Sequence, residues 1–383
     1  MIKANHSIDE LFVRIRNGLP VKNQPELGGL PITRIETIAS GVIDEKRVGF
    51  SGIKPGEKSD WLLNDGDILF SHINSPAHIG KVAIYVDEPP ELIHGMNLLA
   101  FTPNPDLLHP KFGLYLLRSK EFKRELAKSV KPAVNQASVA IADIKKIRVN
   151  VPKVSEQKRI AAILDKADSL RRKRQQAISL ADDFLRAVFL DMFGDPVTNL
   201  KGWPVSELKA LGQVSTGRTP PGDKPGMFDG ETPFVTPGDL ENDAPAKRSL
   251  TEAGVAEVST VRSGATLVCC IGATIGKMGK ATQRSAFNQQ INAVEWNGLV
   301  DDDYGLAALR FFKAEIARQG ASTTLPILKK SSFEKLRIPV PPIELQQAFA
   351  EQVATAERLR FSTKTSLAEI ESLQAALQNE SFA

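Results

Sequence analysis

The stretch Gly272-Ala-Thr-Ile-Gly276-Lys277-Met278 comes nearest to a familiar chemical motif in this 383-residue chain. A phosphate-binding loop needs two glycines with four residues between them, a lysine, and then a Ser or Thr hydroxyl for magnesium. Here the glycines are one residue too close and Met278 stands where the hydroxyl must be, so a nucleotide site is not expected. The Pro-Pro pairs beginning at Pro89, Pro220 and Pro341 lack the polar residue before and the aromatic after that would grip a flipped adenine. No glycine-rich dinucleotide fingerprint or nucleophile elbow occurs. Cys269 and Cys270 are adjacent, a spacing that rarely forms a disulfide, and read as core. His6, His72, His78, His94 and His109 are scattered, without the paired spacing of a tetrahedral metal site. Neither a catalytic nor a metal site is expected, and the Asp and Glu residues read as solvated surface.

What remains is a set of polar and cationic residues in Gly- and Pro-rich loops. In the second half these are Thr216, Arg218, Thr219, Lys224, Lys247, Arg248, Lys277, Lys280, Gln283, Arg284, Asn288 and Gln289. In the first half they are Arg34, Lys46, Arg47, Lys54, Lys58, Ser71, His72, Asn74, His78, Lys81, Asn135 and Gln136. Polar side chains on loops can read base edges while cations hold phosphates. Any one of them is equally at home in solvent; as a set they favour nucleic acid over protein. The total charge neither demands nor forbids this: 49 basic against 45 acidic residues leave +4. With 42% hydrophobic and 25% charged residues the chain is an ordinary globular one. No apolar run follows Lys3, and none reaches the ~18 residues of a membrane span, so no leader or membrane segment is read and the cytosol is expected.

The elements that must position these loops emerge from an internal repeat. Lys146-Ile-Arg-Val-Asn-Val-Pro152-Lys-Val-Ser-Glu156-Gln157 returns as Lys335-Leu-Arg-Ile-Pro-Val-Pro341-Pro-Ile-Glu-Leu-Gln346, an offset of 189 (335 − 146). The same offset pairs Ile160 with Phe349, Leu164 with Val353, Ala167 with Ala356, Arg171 with Arg360, Ile178 with Leu367, Ala181 with Ile370 and Val188 with Leu377. Upstream, Gly66-Asp-Ile-Leu-Phe answers Gly264-Ala-Thr-Leu-Val, and Ile79-Gly80-Lys81 answers Ile275-Gly276-Lys277, with drifting offsets of 198 and 196. Ile68 to Ile73 and Thr266 to Ile271 read as strands, Phe112 to Lys128 and Tyr304 to Gln319 as shorter helices. Ser155 to Phe193 lacks Gly and Pro, has Ser155 as a cap and stops at Gly194-Asp195-Pro196, which predicts one long helix.

A seam spaced by threes and fours runs along each long helix, apolar except at its centre, where Arg171 and Arg174 correspond to Arg360 and Thr363 in the repeat. Ser155 to Phe193 carries eight positive and six negative residues (+2), and Ile343 to Ala383 three and six (−3), so the helices suit each other. The basic run Arg171, Arg172, Arg174, together with Arg360, is either a solvated face or a contact for phosphate or a partner protein. The expected fold class is α+β: globular units at 1–152 and 197–341, joined by a central helix at 153–196 and a C-terminal helix at 342–383 that return along each other as an antiparallel coiled coil with a pseudo-twofold repeat.

Six segments in order, beginning Trp203-Pro204-Val205-Ser206-Glu207-Leu208 and Thr216-Gly217-Arg218-Thr219-Pro220, resemble the specificity subunit of type I restriction-modification systems. The others are Pro233-Phe234-Val235-Thr236-Pro237-Gly238-Asp239-Leu240, Ile275-Gly276-Lys277, Asn288-Gln289-Gln290-Ile291-Asn292 and the Val-Pro-Pro-Ile-Glu-Leu-Gln run ending at Gln346. The first half departs from the pattern. It lacks a clear Trp-Pro opening and the Gly-x-Thr-Pro segment, and Gly95-Met96-Asn97 stands where the second has Asn288-Gln289-Gln290.

The resemblance implies two target recognition domains, each reading half of a bipartite double-stranded DNA sequence. It also implies a spacer of two helices that docks two modification subunits, with restriction subunits in the full complex. It implies no catalysis and no cofactor in this chain, S-adenosylmethionine, ATP and Mg2+ being expected in the partners. Two rivals stand beside it: a stand-alone DNA methyltransferase, which needs a cofactor pocket, and a coiled-coil scaffold carrying two protein-binding domains.

Overall fold

The 40 residues Val154–Phe193 fold as one uninterrupted helix in this computed structural model, and Ile343–Phe382 form another of the same length. Residues 3–21, 28–133, 136–222, 224–241, 245–320 and 326–382 are described. The central helix starts one residue before the expected cap, so Ser155 lies in its first turn. Its far end stops where expected, and the stop has a physical cause. Gly194 takes a left-handed φ of +76° that a side chain would resist. The last carbonyls, which have no partner within the helix, are taken up from outside it. Lys201 Nζ donates to Asp191 O (2.6 Å) and Met192 O (2.9 Å), and Trp203 Nε1 donates to Phe193 O (2.9 Å). The Trp203-Pro204 opening of the second half is thus a helix cap.

By internal contacts the chain divides into one unit of residues 1–175 with 365–383 and another of 176–364. The first is built on an antiparallel sheet in the order Phe12–Asn17, Leu98–Pro103, Ile68–Ser71, Val82–Ile84. Helices Pro110–Arg118 and Lys120–Ala127 pack on it, joining Phe70, Phe101, Phe112 and Phe122 in one core. The single helix expected over Phe112 to Lys128 is therefore broken. Ser119 leaves helical geometry (ψ 155°) and caps the second piece by accepting from Phe122 N. Strand Lys3–Ser7 pairs antiparallel with Arg148–Pro152, which runs straight into the central helix.

The second unit repeats this plan. Its first sheet has the order Gly212–Thr216, Ile291–Trp296, Thr266–Cys269, Met278–Lys280, again all antiparallel. Helices Asp302–Phe311 and Lys313–Gly320 replace the single one expected over Tyr304 to Gln319. Strand Val205–Glu207 pairs with Arg337–Pro339. A further sheet of this unit has the order Arg248–Leu250, Phe228–Val235, Ser285–Phe287, Thr260–Val261, where the first unit has the smaller sheets Ile73–Asn74, Gln136–Ser138, Lys131–Ala133 and Pro31–Ile32, Gly49–Phe50.

Inside each unit the two long helices lie side by side with opposite sense. In the second, Phe189 and Phe193 meet Phe349 at 5.5 and 5.7 Å, and Asp182 meets Arg360 at 3.2 Å. In the first, Ile160, Ala161 and Leu164 share a core with Leu377 and Phe382. Each fully buried aromatic there contributes about 1.5–3 kcal/mol.

The recurring Gln is the lock of each helix start. Gln157, fully buried, donates to Leu107 O (2.8 Å) and Pro152 O (2.9 Å) and accepts from His109 N (2.9 Å). Gln346, equally buried, donates to Leu299 O (3.1 Å) and Pro341 O (2.8 Å) and accepts from Asp301 N (2.8 Å). The most evident motif of the repeat is a structural joint.

Candidate nucleic-acid interface

In the second unit four connections converge at one end of the first sheet. Thr216-Gly217-Arg218-Thr219 leaves the edge strand and crosses the Asn288-Gln289-Gln290 turn, with Arg218 N donating to Phe287 O at 3.0 Å. Gly217 is required at this crossing, because a Cβ there would stand 2.2 Å from Asn288 O and 2.4 Å from Phe287 O. Thr216 Oγ1 donates to Asn292 Oδ1 and Thr219 Oγ1 to Gln289 Oε1, both at 2.7 Å. Asn288, 8% exposed, closes its own turn: its Nδ2 donates to Gln290 Oε1 and its Oδ1 accepts from Gln290 N, both at 3.1 Å. Asn288 N bonds Val235 O, and Cys270 N bonds Gln290 O, which brings in the Thr236-Pro237-Gly238-Asp239 turn and the Gly272 loop.

Thr216, Arg218, Thr219 and Gln289 are thereby gathered and exposed, while Asn288 holds the backbone beneath them. The Arg218 guanidinium makes no ion pair or hydrogen bond among the described residues. Its field reaches Glu257, whose carboxyl is lowered first by the Lys224 hydrogen bond and more weakly by Arg218. Gln290, absent from the expected readers, belongs to the same turn.

The other cations of this unit are placed differently. Lys224 pairs with Glu257 (2.8 Å). Arg248 lies over the Phe228 ring at 4.0 Å, and Arg284 donates to Thr260 Oγ1. Lys247 and Gln283 are exposed, Lys277 half-buried on the glycine turn. Lys280 is half-buried against Asp303 at 2.5 Å; burial is the largest single effect and opposes its charge, but the Asp303 hydrogen bond together with the fields of Asp303, Glu357 and Asp302 outweighs it, and its pKa is raised.

In the first unit several of the expected residues are used inside the unit, on their own turn or on a distant carbonyl. Ser71 is buried and its Oγ accepts from Asn74 Nδ2 (3.1 Å), whose Oδ1 accepts from Ser75 N (2.8 Å). Lys81 Nζ donates to Ala39 O (2.9 Å). His72 is 6% exposed and burial pushes its pKa down to about 4, so the ring is neutral at pH 7. His78 is exposed on the turn Pro76–His78. Lys46, Lys54, Lys58 and Gln136 are exposed, Arg47 pairs with Asp44 (3.2 Å), and Asn135 lies outside the described residues. Arg34 is half-buried beside Gly95-Met96-Asn97, lining a cleft of about 330 Å³.

A correspondence that the sequence hid appears here. Gly18 crosses Gly95 as Gly217 crosses Asn288: a Cβ on Gly18 would stand 1.9 Å from Gly95 O, and Leu19 N bonds His94 O at 2.8 Å. The first half therefore has its counterpart of the Gly-x-Thr-Pro segment in Gly18-Leu19-Pro20, with buried Leu19 where the second has exposed Arg218. The signal was a lone Gly-x-Pro, too short to align without the sheet register.

On the helices, Arg171 and Arg172 pair with Asp168 at 3.1 and 3.6 Å, and Arg118 reaches the same carboxylate at 3.6 Å. Arg174 is exposed, and Arg360 pairs with Asp182. Cys269 and Cys270 are buried as free thiols, and burial pushes the Cys270 thiol up to about 12, which denies it a thiolate at neutral pH. Among the described residues no group of three or more His, Cys, Asp or Glu is placed to hold a metal, and no helix is long and apolar enough to cross a membrane.

The chain matches the family described as "Type I restriction modification DNA specificity domain" twice, over residues 4–180 and 200–372. It is 30% identical over 369 residues to a Methanocaldococcus jannaschii protein named as the MjaX type I restriction enzyme specificity subunit, covering 92% of this chain and 86% of that one. A solved structure of a type I restriction-modification S subunit from M. genitalium resembles it with a TM-score of 0.68 at 16% identity, over 100% of this chain and 96% of that one. A chain from a structure describing complex assembly and conformational transition of the type I R-M system gives 0.52 at 17% identity, over 99% and 97%.

Proposed function

The chain belongs to the family of type I restriction-modification DNA specificity domains, which it carries in two copies, and from that premise we propose that each copy reads one half of a bipartite double-stranded DNA target. As a specificity subunit it is not itself an enzyme. The observation that carries the reading is the repetition of one four-stranded sheet with a glycine crossing at the same end of each copy. In the second copy that crossing displays Thr216, Arg218, Thr219 and Gln289 to solvent, a hydroxyl, cation and amide set suited to base edges and phosphates.

The recognition domains are 1–152 and 197–341, and the helical stretches 153–196 and 342–383 form the antiparallel coiled-coil spacer. We assign to that spacer both the distance between half-sites and the docking of two modification subunits. In support, Leu180, Phe184 and Leu359 are large apolar side chains left 51–65% exposed on the helices of the second unit, more than a solvated face needs. Arg171, Arg172, Arg174 and Arg360 are the charged residues offered to that contact. Methyl transfer and cleavage, with S-adenosylmethionine, ATP and Mg2+, belong to the modification and restriction subunits, and the complex works in the cytoplasm. The names of the relatives favour this reading over a stand-alone methyltransferase or a scaffold.

Sequencing of methylated bases in the host with and without this gene tests it. A bipartite motif that disappears with the gene is expected; an unchanged methylome refutes the reading. Calorimetry of the isolated chain with S-adenosylmethionine should show no binding, and a measurable affinity would restore the stand-alone methyltransferase.

A further inference from the structure

The first unit has no cation where the second has Arg218, so it must read its half-site with something else. The sheet register assigns Gly95, Met96 and Asn97 to the positions of Asn288, Gln289 and Gln290. In the second unit the Asn288 side chain bonds twice to Gln290 and occupies that turn. Gly95 cannot do so. It is pressed between two backbones, since a Cβ would stand 2.3 Å from Thr33 O on one side, and Gly18 crosses on the other. Its amide is held by Thr33 Oγ1 (2.9 Å), and the neighbouring His94 ring spans the turn by donating from Nε2 to Leu98 O (2.9 Å).

A cleft of about 330 Å³ remains, floored by Gly95 and walled by Ile32, Arg34, Glu36, Met96 and Asn97. That volume is at the small end of ligand sites, ~300–1,000 Å³. Among the described residues neither the Arg34 guanidinium nor the Asn97 amide has a hydrogen bond or ion pair. Asn97 holds a left-handed φ of +77°, and Met96 is half exposed. The carboxylate of Glu36 disfavours a phosphate in the cleft. The same carboxylate suits a base edge, because Arg pairs with guanine, Asn with adenine, Glu with the cytosine amino group, and an apolar wall with the thymine methyl.

We propose that Arg34 and Asn97, which both line this cleft, are the specificity-determining residues of the first unit and meet base edges of its half-site. Met96 packs against the same bases, and His94 is a positioning residue that sets the turn. This rests on the specificity-subunit reading.

The full chain is incubated with duplex pools randomised in each half-site in turn, and the bound sequences are read. Arg34→Met removes the cation, and Asn97→Gly removes the amide while keeping a backbone that glycine adopts freely, so both variants should melt with the wild type. Each is expected to lower discrimination about five- to a hundred-fold at one or two base pairs of one half, leaving the other half as in the wild type. If the wild type selects a bipartite sequence and both variants select the same one, the cleft is not the reader and the specificity-subunit reading stands. If the wild type itself selects no sequence, that reading fails and the cleft proposal falls with it.

Discussion

Replacing Gln346 by Met asks how much of the second unit depends on one buried amide. The side chain is fully buried and makes three hydrogen bonds, to Leu299 O, Pro341 O and Asp301 N. Met fills nearly the same volume, so the cavity cost is small and the loss is polar. Three bonds at about 0.5–1.5 kcal/mol net each give a loss of about 1.5–4.5 kcal/mol, and a stranded buried N–H adds to the upper half of that range. About 3 kcal/mol is the expected value. Gln157→Met should cost the same to within about 1 kcal/mol, because its three bonds of 2.8–2.9 Å are equivalent. Gln346→Glu separates packing from bonding, since a carboxylate can accept from Asp301 N but turns a second oxygen on two carbonyls. It should be worse than Met at pH 7 and recover as the pH falls and the carboxyl regains a donor proton. Urea titration of the full chain reads all three as shifts in midpoint at constant slope. A Gln346→Met variant within about 0.5 kcal/mol of the wild type would show that the repeated Gln is not a joint.

Gly217→Ala drives a methyl into the backbone of Phe287 and Asn288; it should cost about 1–3 kcal/mol and blur the second half-site, whereas Gly298→Ala, with nothing within 4 Å, should do neither in thermal melts and duplex selection. His72 and His94 are held at about 4 against an ordinary 6.5, in both cases chiefly by burial. Between those values the unfolded chain takes up protons that the folded one refuses, so stability is full above pH ~6.5 and falls towards pH 4 by up to ~1.4 kcal/mol per unit for each ring. His94→Phe, the residue of the matching position Phe287, should flatten the fall by one ring's worth; urea midpoints at pH 7 and 5 that move as in the wild type would contradict this. Deleting Gln175–Ile178 with Lys364–Leu367 removes about 6 Å from each helix. The methylated half-sites should stay and their spacer shorten by one or two base pairs at ~3.4 Å each, and an unchanged spacer would show that the helices do not set it.

The long helices were legible because a 40-residue segment without Gly or Pro, bounded by Gly194, leaves the backbone little choice. The repeat was legible where side chains are fixed by packing, at Phe349, Val353 and the two glutamines. It faded in the loops, where only a backbone crossing is kept: Gly18 and Gly217 do the same work with no shared neighbour except proline. The breaks at Ser119 and Phe312 escaped because apolar spacing continues through both. Site residues were legible as a population and not one by one. Ser71, Asn74 and Lys81 have the chemistry of readers, yet the polar atoms of Ser71 and Asn74 are used on their own turn and the Lys81 ammonium on the distant Ala39 carbonyl. Which hydroxyl or amine faces inward is decided by long-range pairing that local composition does not encode.

Each globular part is entered on one strand and left on its antiparallel neighbour, Lys3–Ser7 beside Arg148–Pro152 and Val205–Glu207 beside Arg337–Pro339. Neighbouring strands are about 4.8 Å apart, so the doorway in and the doorway out coincide whatever is folded between them. The numbering keeps a history of this: offsets wander from 198 to 196 inside the globular parts and settle at 189 from the exit strand onward. Insertions and deletions have been absorbed on one side of the doorway without displacing anything on the other. A different globular part placed between the paired strands would inherit a helix that already starts in the right place.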